Sequence, residues 1–186
     1  MMDVSSLAVQ IDAILPQTQC TKCGYQGCQP YAEAIASNDA PINRCPPGGD
    51  TGIAALAALL NSAILPLDTS CGVTTPHRVA IINEDTCIGC AKCLKPCPTD
   101  AIIGANKLMH SILPQFCTAC ELCIPACPVD CITMVADTKY PAMFAADIAR
   151  VRFHFHNFRL TRDDDERSAL LAARERAALI QGNHNG

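Results

Sequence analysis

The sequence has no tryptophan and few other aromatic residues, which limits how its core can be built. Three tyrosines and five phenylalanines supply all the aromatic rings among 186 residues. A large aromatic core is therefore not what stabilises the fold. Bound metal is the natural substitute, because metal binding contributes folding free energy directly.

The sequence also has no apolar stretch long enough to cross a bilayer. The most apolar run, Gly52 to Leu60, is followed by Asn61 and Ser62, whereas a spanning helix needs about 17–25 apolar residues. The opening segment, MMDVSSLAVQIDAIL, has Asp3 where an export signal has basic residues, and it contains no continuous apolar segment. The sequence predicts a protein that is soluble or held at a membrane by partners, with no direct membrane span.

Basic stripes and catalytic signatures are missing as well. The formal net charge is −4, and no cluster of lysines and arginines follows the pattern of a surface that binds a phosphate backbone. The glycine-containing turns GYQG and PPGG do not fit a phosphate-binding loop. We therefore predict no nucleic-acid partner and no catalytic site of the chain's own.

Cysteine, in contrast, is abundant, with 14 residues in the chain. A small exported protein uses such a number for disulfides, but this sequence lacks an export signal. In an unexported chain, clustered cysteines more often bind metal. The spacing of the cysteines decides which metal centre they suit.

An internal repeat organises eight of these cysteines. NEDTCIGCAKCLKPCPTDAI (83–102) overlays LPQFCTACELCIPACPVDCI (113–132) at a constant offset, without a gap. Cys87, Cys90, Cys93 and Cys97 fall on Cys117, Cys120, Cys123 and Cys127, and Pro98, Asp100 and Ile102 fall on Pro128, Asp130 and Ile132. Chance does not explain a match of this length.

Each unit of the repeat reads C-x2-C-x2-C-x3-C-P, the spacing with which ferredoxin-like proteins bind two 4Fe–4S clusters. The first three thiols are expected on a loop, and the fourth cysteine on the helix that follows, pointing away toward the second cluster. The spacing predicts crossed ligation, with one cluster on Cys87, Cys90, Cys93 and Cys127 and another on Cys97, Cys117, Cys120 and Cys123. Gly89 and Ala119 are small and leave room for the clusters. Zinc and disulfides are the alternatives, but zinc usually takes paired cysteines from two separate segments.

A different pattern precedes the repeat, with Cys20, Cys23, Cys28 and Cys45. Taken alone, this set also suits zinc, and that alternative stays open. Beside two iron–sulfur motifs, we favour a third 4Fe–4S cluster. Cys131 overlays Ala101 in the repeat and is expected to be a buried structural cysteine, while Cys71 is expected to be a free thiol.

The chain divides into four predicted segments. Residues 1–67 hold an N-terminal helix and the first 4Fe–4S module, 68–77 form a linker, 78–140 form a tandem ferredoxin-like domain, and 141–186 form a charged helical tail. The fold class is α+β, with a βαββαβ-like two-cluster core. In the tail, His154 and His156 are expected to be surface or packing histidines, and RDDDER (162–167) a solvated helix start.

Several of these stretches together resemble the B subunit of Rnf-type (Rsx) electron transport complexes. The resemblance rests on CTKCGYQGCQPYAEAI, INRCPPGG, VAIINEDTCIGCAKCLKPCP, GANKLMH and CTACELCIPACP, and it covers roughly residues 10 to 135. All twelve motif cysteines have counterparts in it. Many members begin with a membrane-spanning helix, and the segment that precedes Cys20 is short, so a form without that helix is expected.

The resemblance implies an electron-carrying subunit with three 4Fe–4S clusters, in a membrane-associated oxidoreductase complex coupled to ion translocation. It also implies a peripheral position on the cytoplasmic face of the inner membrane, held by partner subunits, with ferredoxin or a flavoprotein as redox partner. The alternative function is a free, soluble carrier of the polyferredoxin type that serves cytosolic oxidoreductases.

Overall fold

A computed structural model describes residues 3–137 and 146–182. Within these residues the chain combines helices with two small sheets, so the α+β class is confirmed in this coarse form. The helices are α1 (Val4–Ile14), α2 (Cys28–Ala36), α3 (Gly49–Leu60) and α4 (Ala146–Gly182), and the strands are β1 (Arg78–Ile82), β2 (Ile102–Ile103), β3 (Ser111–Ile112) and β4 (Ile132–Ala136). Two short 3-10 turns lie at Thr69–Cys71 and Pro114–Phe116.

The first three helices form an N-terminal module with its own apolar core. α1 is the helix predicted at the N-terminus, and Ile11 and the adjoining Leu15 are buried, although Val4 at its start is exposed. Tyr31 of α2 is 1 % exposed. Its hydroxyl donates to the carbonyl of Pro41 at 2.7 Å and accepts from the backbone N–H of Arg44 at 3.0 Å. This side chain therefore ties the loop that carries Cys45 to the helix that begins at Cys28.

The second module consists of two antiparallel pairs of strands. β1 pairs with β4, from Arg78 opposite Ala136 to Ile82 opposite Ile132. β2 pairs with β3, and Ile102 lies opposite Ile112. These pairs bring the two ends of the repeat together, so that each cysteine run lies against the other.

The helices predicted after each cysteine run are wrong, because both segments form turns. Residues 92–96 and 122–126 are turns, with bonds from the N–H of Leu94 to the carbonyl of Ala91 and from Cys97 to Leu94. Each bond spans three residues, whereas an α-helix needs four. The prolines that follow Cys97 and Cys127 supply no N–H, so no second helical turn forms.

The backbone repeats at the offset that the sequence predicted. Ala91 and Glu121 have φ angles of 59° and 65°, and Asp100 and Asp130 have 47° and 49°. The offset also relates the end of β1 to β3, so that Ile82 corresponds to Ile112. The two units therefore share one backbone design that extends beyond the cysteines.

Gly89 has a role other than the one predicted for it. Its φ is +67°, and an added Cβ would lie 2.6 Å from the backbone nitrogen of Leu108. The carbonyl of Gly89 also accepts a bond from the N–H of Lys107 at 2.8 Å. Close backbone packing therefore requires glycine here, in addition to any space that a cluster needs.

The charged tail forms α4, which contacts both modules. Arg150 Nε lies 2.8 Å from Asp12 Oδ2 in α1, and Phe153 lies against Gly27. Arg152 donates to the carbonyls of Thr99 at 2.6 Å and Asp100 at 3.0 Å in the second module. The first part of α4 therefore connects the two modules to each other.

The segment RDDDER lies in the middle of α4, so its prediction as a helix start is wrong. Its charges pair along the helix instead, as between Arg167 and Asp164 at 3.2 Å.

His154 is exposed and His156 is buried, which agrees with the prediction of surface and packing histidines. The predicted boundary at 140/141 lies outside the described residues. Across the described residues, no helix combines the length and the apolar character needed to cross a membrane.

Candidate metal centres

The structure gathers the twelve motif cysteines around three cavities. Site 1 is lined by Cys20, Cys23, Cys28 and Cys45, site 2 by Cys87, Cys90, Cys93 and Cys127, and site 3 by Cys97, Cys117, Cys120 and Cys123. These are the sets that the sequence predicted, and sites 2 and 3 each take their fourth cysteine from the other repeat. Metal binding by these thiols stays a prediction.

All 14 cysteines lie within the described residues, and none forms a disulfide. In the described parts of the chain, whether at the three sites or elsewhere, no three His, Cys, Asp or Glu side chains lie close enough together to bind a single metal ion. The cysteines of each site surround a space instead.

Site 1 is built on the loops that lead into α2 and α3. Cys28 is the first residue of α2, and its backbone N–H donates to Gln19 Oε1 at 2.8 Å. Gln19 in turn donates to Gln17 Oε1 at 2.8 Å, and both glutamines are buried. These two residues fix the loop that carries Cys20. Neither glutamine was predicted to act at the site, because a glutamine two residues from another has no characteristic sequence pattern.

Sites 2 and 3 surround their sulfur atoms with backbone donors. The N–H of Ala101 donates to Cys97 Sγ at 3.2 Å, and the N–H of Cys131 donates to Cys127 Sγ at 3.4 Å. The N–H of Ala80 in β1 donates to Cys117 Sγ at 3.5 Å. Such bonds favour the anionic thiolate, which is the form that binds a metal.

Burial acts in the opposite direction on several thiols. It raises the pKa of Cys28 and Cys45 in site 1 to about 12, and it raises the pKa of Cys120 and Cys123 in site 3 to about 12. Without a cation, these buried thiols therefore keep their protons near neutral pH. A metal cation suits them, because it stabilises ligands that have lost a proton.

Cys131 is buried as predicted, but it also lines site 2, which was not predicted. Its Sγ lies 3.4 Å from Cys127 Sγ. Burial, followed by the contact with Cys127, raises the pKa of Cys131 to about 12. Cys71 is half-buried and lines none of the three sites, and its thiol lies 3.8 Å from Asp68 Oδ2.

Site 2 has a further polar neighbour that the sequence analysis gave no role. His110, the last residue of GANKLMH, is 1 % exposed and lines the cavity. Its Nδ1 lies 3.7 Å from Cys87 Sγ. The repeat offset, extended before the first cysteine of each run, is the pattern by which this residue could have been found.

Two family models match the chain. One, described as a 4Fe–4S dicluster domain, matches residues 80–134, and the other, described as a putative Fe–S cluster, matches residues 15–47. The first range contains the cysteines of sites 2 and 3, and the second contains those of site 1. The two models therefore separate the cysteines of site 1 from those of sites 2 and 3, as the cavities do.

Curated relatives carry the name of the B subunit of the ion-translocating oxidoreductase complex. A protein of Thiobacillus denitrificans is 59 % identical over 107 residues, which are 58 % of this chain and 57 % of that protein. One of Hahella chejuensis is 62 % identical over 126 residues, or 68 % of this chain and 64 % of that protein. In both comparisons the chain spans less than two thirds of the relative's length. One of Pseudomonas paraeruginosa is 52 % identical over 163 residues, or 88 % of this chain and 81 % of that protein.

Proposed function

Because the chain belongs to the family of the B subunits of ion-translocating oxidoreductase complexes, we propose that it is an iron–sulfur electron-transfer subunit of such a complex. The observation that carries the proposal is the presence of three cavities, each lined by four of the twelve motif cysteines. The match to a 4Fe–4S dicluster domain supports the iron–sulfur chemistry of two of them.

Sites 1, 2 and 3 each hold one 4Fe–4S cluster in this proposal. A bound cluster supplies a place for one electron without the breaking of a bond. Site 1 is the one for which zinc remained open, and the match of residues 15–47 to a putative Fe–S cluster supports a cluster there too. The chain's own part is to supply thiolates, exclude water and direct N–H groups at sulfur.

The contacts between the modules support a definite order of the sites. Thr118, which lines site 3, donates its hydroxyl to the carbonyl of Thr18, which lines site 1, at 2.9 Å. Lys22 lies between two cysteines of site 1, and its Nζ is 3.1 Å from Oε2 of Glu121, which lies between two cysteines of site 3. Sites 2 and 3 are joined because each repeat contributes to both. Electrons therefore pass between site 1 and site 2 by way of site 3.

The remaining parts of the proposal concern the rest of the complex. The chain binds other subunits, exchanges electrons with ferredoxin or a flavoprotein, and is held at the cytoplasmic face of the membrane through its partners. The energy of electron transfer is coupled to ion movement in those partners.

Metal analysis of the anaerobically reconstituted chain tests the cluster assignment. Three four-iron clusters require about 12 iron and about 12 sulfide per chain. A chain with about eight of each and one zinc would show that site 1 binds zinc, and the proposal of three clusters would fail.

Cell fractionation tests the assignment to a complex. The chain is expected in the membrane fraction when the membrane subunits are present and in the soluble fraction when their genes are deleted. A chain that stays soluble in both strains, with no crosslink to those subunits, would favour the free carrier instead.

A further inference from the structure

His110 is a buried histidine whose imidazole faces the sulfur atoms of site 2. It directly precedes β3 and is 1 % exposed. Its Nδ1 lies 3.7 Å from Cys87 Sγ, and within the described residues its Nε2 is buried with no hydrogen-bond partner. A buried polar ring atom without a partner is costly, so packing alone is a poor reason for histidine here.

The repeat shows what the corresponding position does at site 3. The same offset that places Cys87 on Cys117 relates His110 to Ala80. At site 3 the backbone N–H of Ala80 donates to Cys117 Sγ at 3.5 Å, and Ala80 lines the cavity. The same position therefore faces the first cysteine sulfur in both repeats. At site 3 the contact is a backbone amide, and at site 2 it is an imidazole.

Gly104 packs against the imidazole of His110 at the Cδ2 edge of the ring. Gly104 lies so close that an added Cβ would be 2.4 Å from Cδ2 of His110 and 2.6 Å from its Cγ. Any side chain at residue 104 would therefore push the ring away from its present position. The present orientation of Nδ1 toward Cys87 therefore requires glycine at residue 104.

The chemistry of the ligand decides which atom donates. A cysteine that binds iron is a thiolate, and its sulfur has no proton to give. Nδ1 of His110 must then carry the proton and donate it in a hydrogen bond. Such a bond favours the state of a cluster with more negative charge on sulfur, which is the reduced state.

We propose that His110 is a positioning residue that donates Nδ1–H to the sulfur of Cys87 and raises the reduction potential of site 2. This inference rests on the proposed function, because it requires a cluster at site 2. A one-electron chemical reductant supplies the electron in the test, and no bond forms or breaks in the chain. His110 thus gives Cys87 the kind of donor that Cys117 receives from the backbone N–H of Ala80 at site 3.

A redox titration of the reconstituted full-length chain, followed by electron paramagnetic resonance, tests the proposal. The site 2 spectrum is identified as the one altered by Cys87→Ser. With His110→Leu, the ratio of reduced to oxidised site 2 at a fixed potential should fall about tenfold, which is ~59 mV for one electron. Sites 1 and 3 should keep their potentials. His110→Asn places an amide N–H near the position of Nδ1 and should restore most of the shift.

The controls separate a hydrogen bond from packing. His154→Leu removes an exposed histidine of α4 and should leave all three potentials unchanged. The proposal is overturned if iron-loaded His110→Leu has the wild-type site 2 potential. It is also overturned if His110→Asn lowers that potential as much as His110→Leu does. Gly104→Ala displaces the ring and should lower the site 2 potential. This variant tests the proposal even if His110→Leu fails to load iron, and an unchanged site 2 potential in Gly104→Ala would also overturn the proposal. A wild-type chain with no iron at site 2 would instead refute the proposed function.

Discussion

The two cysteine repeats have the same backbone but different surroundings. The backbone turns at corresponding residues of the two repeats, and residues with a left-handed φ lie at matched positions. In each repeat a backbone N–H donates to the sulfur of the fourth cysteine, Cys97 or Cys127. The side chains around them are not matched. Thr118 and Glu121 of the second repeat contact the N-terminal module, whereas the first repeat has Ile88 and Ala91 at these positions.

The side chains that face the metal sites and the helical tail also differ between the two repeats. His110 at site 2 corresponds to Ala80 at site 3, and Cys131 corresponds to Ala101. Asp100 accepts hydrogen bonds from α4, whereas Asp130 is exposed. Backbone geometry and cysteines thus make the two sites alike. A few neighbouring side chains decide which site contacts the N-terminal module and which one contacts histidine.

The largest expected effect is the loss of a whole cluster when a shared ligand is removed. Cys97→Ala should abolish the cluster of Cys117, Cys120 and Cys123, with about four irons lost per chain. The cluster of Cys87, Cys90, Cys93 and Cys127 should remain, because Cys97 lines site 3 and not site 2. Iron analysis and electron paramagnetic resonance measure this. Damage confined to the cluster of Cys87, Cys90 and Cys93 would show that each run serves its own site.

Cys127→Ala is the matched variant of the other repeat, and we expect a milder result. Cys131 Sγ lies 3.4 Å from Cys127 Sγ, so a replacement thiol is at hand in site 2. Site 3 has Ala101 at that position and no such thiol. The iron loss should therefore be smaller for Cys127→Ala than for Cys97→Ala. Equal losses would show that Cys131 does not reach the ligand position.

The grouping of the cysteines could be predicted from the sequence because it depends on spacing within short segments and on one repeat. The helical tail and α1 followed from their local apolar and charged patterns in the same way. The short helices after each run were predicted wrongly, since the bonds span three residues and proline then stops the chain from continuing as a helix.

The contacts between modules could not be predicted because they join distant parts of the chain. Arg150 bonds to Asp12 across 138 residues, and Thr118 bonds to Thr18 across 100. No local period links such residues, and a polar side chain that docks elsewhere has the same sequence pattern as a solvated one. His110 lies 23 residues from its partner sulfur, and only the repeat offset, which relates it to Ala80, points to its place beside site 2.

The next largest effect concerns Asp100, the residue of the first repeat to which α4 binds. Its Oδ1 accepts from Arg159 Nη2 at 2.6 Å and from His156 Nδ1 at 2.7 Å. Asp100→Asn removes the charge but keeps a residue that tolerates the φ of 47°. The free energy of unfolding should fall by about 1–2 kcal/mol, since Asp100 is partly exposed. Denaturant unfolding measures this change.

Asp130→Asn is the control for Asp100→Asn, because the two residues are equivalent in the repeat. Asp130 is exposed, and its substitution should change stability by less than about 0.5 kcal/mol. Hydrogen exchange should also become faster in the first turns of α4 with Asp100→Asn alone. If both variants lose the same stability, the contact with α4 contributes nothing, and the shared turn accounts for the loss.

A smaller effect is expected at the ion pair of Lys22 and Glu121, which joins site 1 to the second repeat. The two side chains are 35 % and 37 % exposed, and such pairs contribute at most about 1 kcal/mol. Lys22→Glu should lower stability by about this amount, more at low salt than at high salt. Combining it with Glu121→Lys should recover part of the loss. Recovery is incomplete because Arg78 Nη1 lies 3.9 Å from Glu121 Oε1. An additive double variant would show that the pair does not couple the modules.

The smallest expected effect is that of Cys131→Ala, which makes the second repeat like the first at this position. Alanine keeps the backbone N–H that donates to Cys127 Sγ at 3.4 Å, and Ala101 makes the equivalent bond to Cys97 Sγ. Iron content should therefore stay at the wild-type value. Cys71→Ala, at a thiol that lines no site, is the control and should also leave iron unchanged. Since Cys131 lies beside Cys127 in site 2, a loss of about four irons from Cys131→Ala alone would identify it as a ligand of that site. The equivalence of the two repeats would then end at their fourth cysteine.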